Sequence, residues 1–388
     1  MKKFLAIALA VLMLAGCCTM LASCGGNSDT IKIGLSGPTT GPAATYGIAV
    51  ENSAKLAIKE INESGFLKNG LKFELLSKDD AHDSTKVAAN YAWMQENGMQ
   101  VALGCVTSNP CLEFVKLSNK DSVFFLTPSA SANAVVTESN NGYQMCFADD
   151  NQGKVAAAYV NSLAAAGTLG KLGIFYKTGD PYSEGIYNQF VAALNKTATG
   201  EPVVKTFTSD DEDFAPFVTD FANCDFIFMP IYYTPAAKFM TAANGKVPAT
   251  ATYYGCDGFD GIDTSVEGFD ITTIPQKVTM LSHFNSKATD GKAAAYISAY
   301  VAEYGASAPL NQFGAAAYDC VYAIATAINA AIDAGEEITA EIAAAELCAI
   351  LKAQFASAEF KFSGATGDNI TWDADGFVSK AAVAYIIK

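Results

Sequence analysis

From Ile31 onward the chain alternates short, almost wholly apolar runs with longer stretches in which apolar and polar positions interleave at helical spacing. Runs of the first kind suit strands buried on both faces of a parallel sheet; stretches of the second kind suit helices laid against it. "IKIGLSG" precedes "YGIAVENSAKLAIKEINESG", "LKFELLSKDD" precedes "DSTKVAANYAWMQENG", "MQVALG" precedes "PCLEFVKLSN", and "SVFFLTP" precedes "SASANAVV". After "GYQMCFADD" the alternation starts again. "KLGIFY", "PVVKTFT", "CDFIFMP", "TYYGC" and "KVTMLSH" read as strands, with helices such as "YSEGIYNQFVAALNK" and "PAAKFMTAANG" between several of them. Strands alternating with helices imply βαβ units. The pattern therefore predicts two similar α/β lobes, although no repeat is visible residue by residue. The helices "GKAAAYISAYVAEYG" and "FGAAAYDCVYAIATAINAAIDAG" and the end "FSGATGDNITWDADGFVSKAAVAYIIK" are left over, and are expected to return to one lobe and then the other.

The first segment breaks this pattern. "MKKFLAIALAVLMLAGCCTMLASC" has two lysines, an apolar run too short and interrupted for a spanning helix, and then small residues before cysteine, which is an export signal. Both "LAGC", ending at Cys17, and "LASC", ending at Cys24, resemble the bacterial lipoprotein cleavage box. Cys24 is preferred as the acylated residue, with Cys17 as the alternative, because "GGNSD" after Cys24 makes a flexible tether.

Composition narrows the function. A chain of 388 residues, 51% apolar and 17% charged, buries a large core. With 25 basic against 40 acidic residues it lacks the basic surface that nucleic acid or an anionic membrane requires. Every basic residue is lysine; there is no arginine. The cysteines beyond Cys24 (Cys105, Cys111, Cys146, Cys224, Cys256, Cys320 and Cys348) are an odd set and read as small buried hydrophobes. Cys105 and Cys111 flank "VTSNP", too far apart for a redox or zinc motif, yet bridgeable if their Cα atoms come within about 7 Å. No metal site or cofactor motif is present: "GLSGPTTG" is not G-x-G-x-x-G, and no G-x-S-x-G, H-E-x-x-H or P-loop occurs. An enzyme is therefore not expected, although Cys105 with His82 is a conceivable pair.

In open α/β sheets ligands bind beyond the carboxyl ends of the strands. The polar residues at those ends are hydroxyl-rich in the first half, in "SGPTTGPAATYG", "CVTSNP" and "TPSASAN", and rich in tyrosine and acid in the second, in "KTGDPYSEG", "PIYYTP" and "GCDGFDG". Without arginine, a ligand carboxylate would have to meet hydroxyls, backbone N–H groups, helix N-termini or lysine.

With these motifs in this order, the chain from Ile31 to Lys388 resembles the leucine/isoleucine/valine-binding proteins, the type I periplasmic solute-binding proteins of ABC importers. The resemblance also rests on "DDAHDS" and "GATGDNITWDADG". It implies an α/β type I periplasmic binding protein fold, two Rossmann-like lobes joined by three crossovers. The expected division is a signal peptide over 1–23, a tether over 24–30, an N-terminal lobe over 31–148 plus 283–358, and a C-terminal lobe over 149–282 plus 359–388. It further implies that Ser108, Ser129 and Ser131, with Thr107 and Ala130 beside them, hold an amino acid's α-carboxylate. Tyr182 and Asp257 would hold the ammonium, and Tyr46 and Tyr232 would line the pocket, with Tyr233 as the other register for Tyr232. His82 departs from the family, where a cysteine at that position pairs with one near Thr107, leaving Cys105 with Cys111 as a possible substitute. The implied protein is a monomeric lipoprotein on the outer face of the cell membrane, held there by its lipid alone. It would capture an amino acid, branched-chain or otherwise apolar, for ABC permease and ATPase subunits, with no cofactor. The alternatives are a sensor lipoprotein of the same fold that presents its ligand to a membrane receptor, and a site for a different small amide or carboxylate.

Overall fold

A computed structural model describes residues 29–388; the export segment, Cys17 and Cys24 lie outside the described residues. The first half of the chain forms β1 (Thr30–Gly37), α1 (Ala44–Ser64), β2 (Lys72–Asp79), α2 (Val87–Glu96), β3 (Val101–Cys105), α3 (Ser108–Asp121), β4 (Phe125–Thr127) and β5 (Gly142–Gln144). There follow α4 (Asp149–Ala165), β6 (Leu172–Lys177), α5 (Pro181–Ala193), β7 (Val203–Phe207), β8 (Phe226–Met229), α6 (Tyr233–Ala243), β9 (Thr252–Gly255) and β10 (Lys277–Ser282). The remainder forms α7 (Gly291–Tyr304), α8 (Gln312–Asp333), α9 (Ala344–Phe355), a hairpin of β11 (Phe362–Gly364) and β12 (Gly367–Ile370), and β13 (Val383–Ile386).

One sheet has the order β2-β1-β3-β4-β5, with every neighbouring pair parallel. The other has the order β13-β10-β9-β8-β6-β7, parallel except where β13 runs against β10. Without β13 the two windings are the same: the first strand pairs with the second on one side and the third on the other. The repeat that the residues hide is therefore present in the topology. Each sheet has a switch point, between β1 and β3 and between β6 and β8, where the following loops diverge to opposite faces and leave a crevice.

The strands are apolar because both faces are covered: all of β3, β4 and β8 is buried. Each fully buried Leu, Ile or Phe contributes roughly 1.5–3 kcal/mol. At β3 one residue, Leu103, is extra, since Gly34 pairs with Ala102 and Leu35 with Gly104. Gly104 takes φ 67°, and a Cβ there would lie 3.1 Å from the Phe125 ring, so this bulge needs glycine. It sits at the strand end that leads into α3. Helix α8 is long and apolar enough to cross a membrane, but most of it is buried against α1 and the core, which accounts for its composition.

Three expectations change. "SASANAVV" is a loop with one short turn at Ala134–Thr137. Its backbone is held by other elements: Ala130 N–H donates to Thr127 Oγ1 (3.1 Å), Ala132 N–H to Ser108 Oγ (3.2 Å), and Gln144 Nε2–H to the carbonyls of Ala130 and Ala132. The passage back to the second sheet comes later than the expected 358/359 boundary. Trp372 Nε1–H still donates to Gln144 O, and Gly376 O accepts from Gln144 N–H, before β13 joins β10. Finally, Cys105 and Cys111 are free thiols rather than a bridge. Both pack as apolar atoms with Phe114 and Phe125, and burial pushes the Cys105 thiol well up, so it stays protonated and unreactive.

Candidate ligand site between the two sheets

Residues from both switch points meet around one cavity with about 10 Å³ of free space. That is roughly room for one water molecule, so the two walls stand nearly in contact. Of the residues singled out in the sequence, Tyr46, Thr107, Ser108, Ser129, Ser131, Tyr182, Tyr232 and Asp257 line it. Ala130 does not; its methyl is fully buried in the apolar cluster behind β3 and β4, so at this position only the backbone serves the loop. Val106 and Phe313 complete the wall.

The first wall is built from hydroxyls and a helix end. α3 starts at Ser108 with Thr107 as its N-cap, and no side chain caps its first N–H groups. The helix therefore presents its partial positive charge at the cavity, beside the hydroxyls of Ser108, Ser129 and Ser131. Ser129 donates to Val106 O, which fixes its rotamer.

The opposite wall carries the acid. Asp257, 2% exposed, follows β9. Its Oδ1 accepts a 2.6 Å hydrogen bond from the Tyr182 phenol, which in turn accepts from Gly258 N–H at 2.9 Å. Asp257 N–H donates to Gln152 Oε1 at 2.9 Å. A side chain at Gly258 would collide with the Tyr182 oxygen at 2.7 Å and with Ile231 O at 2.8 Å, so the "CDG" turn needs glycine to bring these groups together. Burial raises the Asp257 carboxyl to about 6, against the hydrogen bonds from Tyr182 and Gln152 that favour its charged form. Asp149, at the start of α4, lies close enough that Asp257 is the second cause, after burial, of its own strongly raised value. Among the described residues, the main groups that act on the Asp257 carboxyl include no lysine.

Aromatic rings close the remaining sides. Tyr182 and Tyr232 stack at 4.7 Å, 11° from parallel, and Tyr46 meets Phe313 edge-on at 4.7 Å. Tyr46 OH donates across the crevice to Gly258 O at 2.6 Å. Tyr233, the other register, lies behind the cavity and packs edge-on against Tyr46. His82 and Thr107, where the resemblance implies a disulfide in relatives, are instead joined by a 2.8 Å hydrogen bond between Nδ1 and Oγ1.

Sequence reasoning missed Val106, Phe313, Asp149 and Gln152. The last two stand in "ADDNQG", where an acid and an amide three residues apart at a helix start were a readable signal; Phe313 lies far along the chain and left none. A wider groove beside Tyr318, Tyr322 and Lys361 contains none of the residues singled out for the site.

A family model described as "Periplasmic binding protein" matches residues 30–387. The chain is 30% identical over 273 residues to the Leu/Ile/Val-binding protein BraC3 of Rhizobium johnstonii, a match covering 68% of this chain and 71% of that protein. It is 26% identical over 325 residues to the leucine-, isoleucine-, valine-, threonine- and alanine-binding protein of Pseudomonas aeruginosa, covering 81% and 82%. Among solved structures it superposes on the substrate-binding protein LivJ of Streptococcus pneumoniae, crystallised with isoleucine, with a TM-score of 0.75, 25% identity and 92% and 95% coverage. A solute-binding protein of R. palustris crystallised with benzoate shares the fold at a TM-score of 0.74 and 18% identity, covering 92% and 93%.

Proposed function

The chain belongs to the periplasmic binding protein family, and from that premise we propose that it captures a free α-amino acid with an apolar side chain and hands it to an ABC importer. The observation that carries this reading is the opposition of the two walls. A helix N-terminus and serine hydroxyls face a buried carboxylate that, among the described residues, meets no cation. A carboxylate so buried gains from a cation and is penalised without one. A zwitterion places a negative group against the first wall and an ammonium against Asp257 and Tyr182, while Tyr46, Tyr232 and Phe313 meet its side chain. Charge-assisted hydrogen bonds at both ends are roughly twice as strong as neutral ones.

In this reading β1–β5 with α7–α9 and the β11–β12 hairpin form one lobe, and β6–β10 with β13 form the other. The lobes close on the ligand by a hinge at the three crossovers. Cys24 carries the lipid that holds the protein at the outer face of the membrane. No chemical step is assigned to the site.

Calorimetric titration with the common amino acids, after bound ligand has been stripped by unfolding and refolding, tests the proposal. Saturable binding of at least one apolar amino acid is expected. Heat only from an aromatic acid such as benzoate, or none from any amino acid, refutes it.

A further inference from the structure

We propose that His82 is a positioning residue of this site, one that holds the Thr107 hydroxyl and closes against Tyr232 while neutral, so that its protonation loosens ligand capture. The proposal rests on the amino-acid reading above and adds a proton dependence to it.

The backbone supplies the first observation. Ala81 and His82 take φ 51° and 63°, a left-handed pair that residues with a Cβ rarely adopt. Two carboxylates hold them there: Asp79 Oδ1 accepts from Ala81 N–H, and Asp80 Oδ1 accepts from His82 N–H, both at 2.9 Å. Asp80 is itself buried and anchored to Ser36 Oγ at 3.0 Å. The turn is thus over-determined, and its result is to place one imidazole at the mouth of the crevice.

The ring has partners on both sheets. Nδ1 is hydrogen-bonded at 2.8 Å to Thr107 Oγ1, the N-cap of α3 and part of the cavity wall. The ring also meets Tyr232, from the other half of the molecule, edge-on with centroids 5.2 Å apart. Neutral imidazole fits this place. The charged groups that act on it are Lys177 at the end of β6, Asp210 after β7, and Asp83 in its own turn, with Asp80 beneath. Lys177 and Asp210 pair at 3.0 Å, so they offer a second cation little unspent negative charge. Burial, then Lys177, pull the imidazolium down to about 4, with Asp210 and Asp83 opposing. When the crevice opens, Tyr232 and Lys177 move away with their sheet and the ring returns toward its ordinary value of about 6.5. The closed form therefore binds fewer protons at His82 than the open form. Acid favours opening, and affinity falls about tenfold per pH unit below about 6.5 through this group.

Asp257, Asp180 and Asp80 also titrate near 6. A comparison of wild type with His82→Gln cancels them, because both proteins keep those acids. Leucine affinity is measured for both at pH 7.5 and 5.5. In parallel the His82 imidazole resonance, assigned by its loss in the variant, is followed from pH 8 to 4 with and without leucine. The expected result is a ratio of wild-type to variant Kd about tenfold higher at pH 5.5 than at 7.5, with a His82 midpoint lowered by leucine. An unchanged ratio, with a midpoint that leucine does not move, overturns the proposal. If leucine binds neither protein at pH 7.5, the amino-acid reading is in question instead. The same titration is then run with benzoate: a His82 midpoint that benzoate lowers supports the assignment, and one that it leaves unmoved overturns it.

Discussion

The phenol of Tyr182 donates to Oδ1 of Asp257 at 2.6 Å, although one residue begins a helix after β6 and the other follows β9. The phenol oxygen in turn accepts Gly258 N–H, so one hydroxyl both favours the ionised acid and shapes its turn. Tyr182→Phe keeps the ring stack on Tyr232 and removes only that oxygen. A lost hydrogen bond to a charged group typically costs about 1.5–3 kcal/mol. The variant is expected to bind its amino acid about ten- to a hundredfold more weakly and to melt at a lower temperature, since Gly258 N–H is left buried without its partner. Calorimetry and a thermal melt read the two effects separately.

On the first wall, Ser108→Ala and Ser131→Ala are each expected to weaken amino-acid binding by about ten- to a hundredfold, the loss of one bond to a carboxylate. Ser108 carries a second duty, because its Oγ accepts Ala132 N–H, so its variant should also lose some stability. Titrations unchanged in both variants would remove the carboxylate from this wall.

Affinity is also expected to depend on pH through Asp257. Its carboxyl titrates near 6, raised by burial, and in the proposed function an ammonium binds the ionised form. Below 6 a proton competes with the ligand, so Kd should rise about tenfold between pH 7.5 and 5 from this group alone. The stability of the ligand-free chain has the opposite slope at this residue. A raised folded value means Asp257 favours the folded state most at acid pH, and that contribution is lost as pH rises through about 6. The increase in melting temperature on adding ligand should therefore be larger at pH 7.5 than at pH 5.

The sequence made the strand ends readable because apolar runs stop abruptly there, and hydroxyls, tyrosines and Asp257 follow at once. Eight of the residues named from those ends line the cavity. Ala130 was misjudged because its neighbours on both sides are hydroxylated and line the cavity, whereas its own methyl turns into the core behind β4. Phe313 was illegible for another reason: it enters from the start of α8, and only the returning crossover brings it to Tyr46. The direction of the His82 ring depends on a left-handed pair, Ala81 and His82, held by the side chains of Asp79 and Asp80. The loop "SASANAVV" looked helical because the side chains that capture its backbone, Thr127, Ser108 and Gln144, belong to other elements.

The proposed acylation of Cys24 provides a separate check. If Cys24 is acylated, mass spectrometry of membrane-extracted protein should find a lipid-modified N-terminal peptide beginning "CGGNSD". A terminus at Cys17, or at an unmodified residue beyond Cys24, would contradict the assignment.

The central claim is that Asp257 grips an ammonium group, and Asp257→Asn tests it most directly. Asparagine keeps the shape and one carbonyl oxygen for the Tyr182 bond while removing the charge. Calorimetry of wild type and variant is run with leucine and with its des-amino analogue, 4-methylpentanoate. The account predicts a loss of about ten- to a hundredfold or more for leucine, with the already weak binding of the analogue almost unchanged. If both ligands weaken equally, or neither does while the melting temperature falls, Asp257 only shapes its turn and the site does not recognise an amino acid in this way.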